Sequence, residues 1–192
     1  MKKLFLLVML ALSTLTVSAQ EDSKFTFEIG AGLSKVVGSD ADTKMNFSYM
    51  IGATYDFALS ENFYIVPGLE LINKGFKSDV LDGAVNMYYV QVPILAAYKF
   101  NIADNIKLAI KAGPYAAFGA FGNDIKFTNG VKINVFDSDG GYKRFDAGLK
   151  AGVAVEVSQF VIGAEYSRGF LKLDSNYKQY TQVFGLVFGY KF

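Results

Sequence analysis

Residues 183–192 read VFGLVFGYKF. Phe184, Leu186, Phe188, Tyr190 and Phe192 take every second position, with Gly185, Gly189 and Lys191 among the residues between them. A period of two sends successive side chains to opposite faces of a β-strand. One face of this stretch is therefore large and apolar, and the other carries glycine and a charge. What the large face touches decides the fold.

The same alternation recurs over residues 24–35, 45–57, 63–76, 87–100, 106–120, 144–157, 159–170 and 180–192, each followed by a break. The breaks alternate in length. Ala58 to Asn62, Asn101 to Asn105 and Ser158 to Gln159 are short, whereas Val36 to Lys44, Lys77 to Asn86, Phe121 to Lys143 and Leu171 to Gln179 are long and rich in Asp, Asn, Gly and Ser. Eight strands with short turns at one end, long loops at the other and both termini at the short end is the layout of a bacterial outer-membrane barrel.

The two faces differ in chemistry. The large face takes alternate residues from Phe25 to Leu33, Phe47 to Phe57, Phe63 to Leu71, Tyr88 to Phe100, Leu108 to Phe118, Phe145 to Val155, Phe160 to Tyr166 and Phe184 to Phe192, and over those spans it carries no charge. The other face holds the strand glycines together with Glu28, Asp56, Glu70, Asp146, Glu156, Glu165, Lys99, Lys107, Lys111, Lys150 and Lys191. Glycine weakens a strand by roughly 0.5–1 kcal/mol, but it suits the inside of a narrow, strongly curved barrel where side chains have no room. The small, charged face is thus predicted to line the lumen and the large face to meet lipid. Phe and Tyr gather near strand ends, as interfacial girdles do, and closure is required because an open sheet edge in hydrocarbon would leave N–H and C=O groups unpaired. The predicted fold is all-β, an eight-stranded antiparallel up-and-down transmembrane β-barrel.

Composition bounds the chemistry. Lys2 and Lys3 precede an apolar run from Leu4 to Val17 that is too short to span a bilayer, and Val17-Ser18-Ala19 offers a cleavage site before Gln20. Residues 1–19 are read as a signal peptide and residues 20–192 as the barrel domain. Removing Lys2 and Lys3 from the 19 basic residues leaves 17 against 18 acidic ones. That balance gives no electrostatic case for nucleic acid. The sequence has no Cys and no His, which excludes disulfides, thiolate sites, Ser-His-Asp and Cys-His catalysis and histidine-rich zinc sites.

The inner charges are the nearest approach to a functional site. Eight strands enclose a lumen that side chains can fill, so the eleven charges read as a salt-bridged plug, with a continuous pore as the weaker alternative. Within Asp124 to Phe136 (DIKFTNGVKINVF), Asn129-Gly130 between alternating runs marks a hairpin standing above the membrane. A lid, a partner-binding tip and simple strand extension are all open for it. Asp137-Ser138-Asp139-Gly140-Gly141 is no EF-hand, because its first glycine falls at position four and Gly148 rather than a closing Glu occupies position twelve. Gly30-Ala31-Gly32 lacks the following helix of a dinucleotide fingerprint. No catalytic, cofactor or metal residue is assigned.

The segment Tyr89-Val90-Gln91-Val92-Pro93-Ile94-Leu95-Ala96-Ala97-Tyr98-Lys99-Phe100 resembles the Y-L-E-I-P-L-L-x-K-Y-K-F strand of the small outer-membrane β-barrel family of Bacteroidota, the PorT-like barrels. Asn73-Lys74-Gly75, Ala112-Gly113-Pro114-Tyr115 and Arg144-Phe145-Asp146-Ala147-Gly148 are similar to that family's x-K-G, A-G-P-Y and x-F-D-x-G marks, in the same order. Gln91 stands where an acid is usual. The resemblance implies an eight-stranded barrel in the outer membrane, and its class implies that Phe192 is an aromatic signal for the barrel-assembly machinery. One branch is associated with type IX secretion, a role that these barrel-building residues do not carry over.

The expected protein is a monomeric, non-enzymatic outer-membrane barrel with a charge-plugged lumen, acting as a structural or surface-recognition component through its outer loops. Its expected partners are outer-membrane lipid, the assembly machinery and an unidentified ligand at the loops. A narrow channel or hydrophobic-solute conduit, a type IX secretion barrel and a soluble periplasmic ligand-binding barrel are the alternatives.

Overall fold

The computed structural model describes residues 24–38, 43–78, 81, 83–126, 132–136, 142–173 and 177–192. The proposed signal peptide, the Asn129-Gly130 tip and residues 137–141 lie outside the described residues. Twelve strands follow in chain order: β1 (Lys24–Gly38), β2 (Asn46–Ala58), β3 (Phe63–Asn73), β4 (Phe76–Lys77), β5 (Ala84–Val85), β6 (Met87–Ala103), β7 (Ile106–Gly122), β8 (Asp124–Lys126), β9 (Lys132–Asn134), β10 (Phe145–Val157), β11 (Phe160–Gly169) and β12 (Gln179–Lys191).

Eight of them close a barrel in the order β1-β12-β11-β10-β7-β6-β3-β2, every pair antiparallel. The strand that opened the sequence reading, β12, pairs with β1 from Thr26↔Lys191 to Gly38↔Gln179 and with β11 from Phe160↔Tyr190 to Arg168↔Gln182. Closure thus removes the last free edge. The connections at residues 59–62, 104–105 and 158–159 lie at one end with Lys24 and Lys191, and the four long connections lie at the other.

The period of two runs through most of each strand, inward positions more buried than outward ones, and slips where β6 and β7 shift register, leaving Ala120 and Phe121 both exposed. The exposed set is the large apolar one, including Leu186 at 64% and Ile162 at 60% exposure. That outward apolar surface is what a bilayer solvates, and it opposes a soluble ligand-binding barrel.

The long-loop end departs from simple strand extension. Strand β3 stops at Asn73 rather than at residue 76, because Asn73-Lys74-Gly75 turns the chain across the barrel mouth. Ser48 Oγ donates to the Asn73 carbonyl (2.6 Å) and Ser34 Oγ to the Gly75 carbonyl (2.6 Å), pinning the turn to the wall. Short pairs β4–β5 and β8–β9 follow, the latter joining Asp124–Lys126 to Lys132–Asn134 on either side of the predicted hairpin tip.

The hairpin does not simply stand above the membrane. Ile125, Val135 and Phe136 at its base are buried in one cluster with Phe76, Val85 and Leu173 of the other long connections and with Val36, Met50, Ile72, Met87, Tyr89, Tyr115, Val183 and Val187 of the walls. The outer part of the lumen is therefore packed as a hydrophobic core, with Phe136 meeting Tyr89 edge to face at 5.6 Å.

Candidate functional site

Ionic side chains fill the rest of the lumen in three tiers, each built from inward positions on several strands. Nearest the short-turn end, Lys99 reaches Asp56 (2.5 Å) and Glu156 (2.7 Å), and Lys191 reaches the same two carboxylates (2.9 and 2.6 Å). Two cations and two anions form a closed square spanning β2, β6, β10 and β12. Tyr64 closes its flank, its ring lying 4.6 Å from Lys99 Nζ.

The middle tier holds Glu28, Glu70, Glu165, Lys111 and Lys150. Lys150 joins Glu70 to Glu165, the latter at 2.7 Å, and Lys111 lies 2.7 Å from Glu165 Oε1 as an ion contact whose angles do not make a hydrogen bond. Gln91 donates to Glu70 Oε2 at 2.9 Å. An acid there would face Glu70 with like charge. Glu28 is the least supported member: Lys111 is 3.6 Å away, Thr54 donates at 3.5 Å, and Oε2 has no partner although the residue is 2% exposed. The tier thus sets three carboxylates against two ammonium groups.

Glycine makes this crowding feasible. Glu28 lies opposite Gly52 and Gly189, Glu70 opposite Gly52, and Glu165 opposite Gly152 and Gly185. A Cβ at Gly52 would stand 2.9 Å from Glu70 Cγ, and one at Gly152 would stand 3.0 Å from Glu165 Cγ. The carboxylate stems occupy the space that those glycines leave.

The upper tier is a single pair with a hydroxyl shell. Lys74, whose side chain is 0% exposed, donates to Asp146 Oδ2 at 2.9 Å, and Tyr115 (3.1 Å) and Thr181 (2.8 Å) donate to the same oxygen. The Tyr115 and Tyr89 rings lie 4.1 and 5.2 Å from Lys74 Nζ. These two tyrosines join the ionic lumen to the apolar cluster above. Arg144 braces that cluster from the rim, donating to the Gly119 carbonyl (2.9 Å) with its guanidinium 5.0 Å from the Phe136 ring.

Ten of the eleven charges selected from sequence lie in these tiers: Glu28, Asp56, Glu70, Lys99, Lys111, Asp146, Lys150, Glu156, Glu165 and Lys191. Lys107 is the correction. It has the inward parity but sits one residue from the short-turn end of β7, where it lines an open vestibule of about 370 Å³ and joins none of the ion pairs. Lys74 takes its place as the fifth lumen lysine. The signal for it was present, because the alternation that turns Glu70 and Ile72 inward also reaches Lys74.

Phe192 lies beside Phe25 (6.2 Å between ring centroids) and Tyr190 (4.9 Å), and its N–H donates to the Phe25 carbonyl at 2.8 Å. Two smaller cavities, each lined in part by inward side chains, measure about 30 and 20 Å³, room for one or two waters each, since a water occupies roughly 10–15 Å³ by this measure. Chemically, the arrangement sets five lysines against six carboxylates, so that Glu28 is left as the one weakly paired charge. Among the described residues no group of His, Cys, Asp and Glu is arranged to hold a metal ion.

Residues 18–175 match the family described as outer membrane protein beta-barrel domain. Among solved structures, the chain is similar to Ail, the attachment invasion locus protein of Yersinia pestis, at 18% identity over 88% of this chain and 99% of that one, with a TM-score of 0.44. Neisserial surface protein A aligns at 13% identity over 88% and 97% of the two chains, with a TM-score of 0.55. The outer membrane enzyme PagL aligns at 11% identity over 85% and 98%, with a TM-score of 0.53. At such identities the likeness is one of fold. Curated proteins give no match.

Proposed function

The chain belongs to the outer membrane protein beta-barrel domain family, and from that premise we propose that it is a non-enzymatic, occluded barrel that works as a structural or surface-recognition component through its long loops. The observation that carries this reading is the filled lumen: among the described residues, three ionic tiers and an apolar plug lie in series along the barrel axis. Side chains committed to one another offer no polar track for solute, and opening one would strand buried charge at a cost of about 3–5 kcal/mol. The outward apolar wall supports residence in lipid, with the short turns on the periplasmic side and the loops outside.

Export by a leader over residues 1–19, cleaved before Gln20, a monomeric state and insertion by the barrel-assembly machinery complete the proposal. Closer kinship with the PorT-like barrels of Bacteroidota rests on the four sequence marks quoted above. PagL shares the fold and is an enzyme, so fold alone does not decide catalysis. What favours a non-catalytic reading here is a chain without histidine whose lumen carboxylates are mostly tied to lysines. Planar-bilayer recording of the refolded protein tests the occlusion. A silent bilayer is expected, and stable openings of defined conductance would replace this reading with a channel.

A further inference from the structure

Among the described residues, the eight barrel strands carry two charged side chains at outward-facing positions, Lys35 on β1 and Arg168 on β11. They extend the large face by one outward position beyond the charge-free spans Phe25 to Leu33 and Phe160 to Tyr166. They also flank one residue: Gln182 of β12 pairs with Lys35 on one side and Arg168 on the other. Adjacent strands lie about 4.8 Å apart, so the two cations stand about 10 Å apart at the backbone, within reach of one headgroup for side chains of this length. Gln182 Nε2 donates to the Tyr166 hydroxyl at 2.8 Å, which adds a fixed polar edge between them.

The level of this row in the membrane follows from strand geometry. Phe25 to Lys35 is a rise of about 34 Å along the strand, which at a tilt near 40° spans about 26 Å, the height of the apolar band of an outer-membrane barrel. Lys35 therefore sits at the edge of the hydrocarbon on the long-loop side. Toward the membrane centre the next outward row is Leu33, Phe184 and Tyr166, and the one after is Ala31, Leu186 and Ala164. The two alanines leave furrows on either side of the protruding Leu186.

No ion pair joins Lys35 or Arg168 to a described residue, and β1, β11 and β12 present no carboxylate outward. The opposite wall is different. There Tyr49, Tyr88 and Phe121 form an aromatic patch, the two tyrosine hydroxyls bonded to each other and the Tyr88 and Phe121 rings stacked at 4.6 Å, without an outward cation on its strands. Cationic charge is thus concentrated on one wall, at the depth where lipid phosphates lie.

We propose that the long-loop end of β1, β12 and β11 binds the phosphorylated headgroup of an outer-leaflet glycolipid. Lys35 and Arg168 meet its phosphates, Gln182 and the Tyr166 hydroxyl face its sugar hydroxyls, and the furrows beside Leu186 take its acyl chains. This rests on the outer-membrane reading, whose failure is seen separately as a chain that does not insert.

The test uses the full mature chain refolded into phosphatidylcholine nanodiscs, with heat-modifiable gel migration reporting the inserted barrel. Diphosphoryl lipid A is added at low mole fraction, and native mass spectrometry counts the molecules retained after release from the disc. Wild type is expected to retain lipid A, and the equally folded K35Q/R168Q variant to retain roughly tenfold less. K24Q/K107Q, at the other mouth, is expected to match wild type, and excess inorganic pyrophosphate is expected not to displace the lipid. Equal retention by K35Q/R168Q and wild type overturns the site. Displacement by pyrophosphate overturns the lipid as its ligand, and absence of a heat-modifiable barrel overturns the reading beneath it.

Discussion

The lumen of this barrel is solved in two different ways. Toward the short-turn end it is ionic, with Asp56, Glu156, Lys99 and Lys191 forming a closed square and every carboxylate and ammonium contributed by a strand. Toward the long-loop end it is apolar, with Phe76, Val85, Ile125, Val135, Phe136 and Leu173 folded inward from the connections. The difference teaches where each kind of filling can come from. Strand residues that face inward must satisfy a neighbour across a narrow space, and long flexible ammonium stems reaching short acids do that. Connections are free to adapt, so they deliver bulky apolar groups that pack to density. The Lys74–Asp146 pair stands at the junction, a lysine brought by a turn meeting an acid brought by a strand.

The largest test of the contrast is Asp146→Ala. It removes the oxygen that accepts from Lys74, Tyr115 and Thr181 and leaves a fully enclosed ammonium, so the barrel in lipid should lose about 3–5 kcal/mol in denaturant unfolding. The double change K74M/D146L, which removes both charges, should recover most of that loss. If it recovers none, the ion pair is not what holds the junction together.

Next in size is Phe136→Ala, which empties the centre of the apolar plug between Tyr89 and Arg144. A loss of about 3 kcal/mol is expected. Hydrogen exchange should place it at the outer end, with faster exchange in β8, β9 and the start of β6 and unchanged protection around Asp56 and Lys99. Uniform acceleration along the barrel would mean that the two fillings act as one.

The smallest effect is expected at Glu28→Gln. Glu28 is the surplus carboxylate of the middle tier, its nearest ammonium 3.6 Å away and Oε2 without a partner. Removing its charge should change stability by less than about 1 kcal/mol, and in the stabilising direction if at all, because a buried, weakly paired charge opposes folding. Glu70→Gln, by contrast, withdraws charge from Lys150 and should cost more. Equal losses for the two would show that the tier needs all three acids charged.

Much of the wall was legible in the sequence. Eight alternating segments, the short and long breaks and the face that meets lipid all follow from a period of two, and strand ends moved by only a few residues. Ten lumen charges could be selected because parity assigns each strand residue to a face. The limits of that parity show in four residues. Lys107 has the inward parity but lies too near the open mouth to find a partner. Lys74 has it too, yet belongs to a turn whose course is set by Ser34 and Ser48. Lys35 and Arg168 share the outward parity of the charge-free face, and only cross-strand register reveals that they flank Gln182 together. The wall share of the plug follows from the same parity, but that Phe76, Val85, Ile125, Val135, Phe136 and Leu173 fold inward to meet it was not legible, because parity within a connection does not say which way the connection turns.

By itself, then, the sequence determined the strands, their faces and the charge inventory, since each depends on one residue and its immediate neighbours along a pleated chain. The tertiary structure alone decided who meets whom across the lumen: the closed square, the overloaded middle tier, the turn that buries Lys74 and the loops that seal the outer end. Those depend on register and closure, which bring residues 135 positions apart, such as Asp56 and Lys191, within one hydrogen bond. Pairing of that kind is a property of the whole barrel and is written in no local stretch.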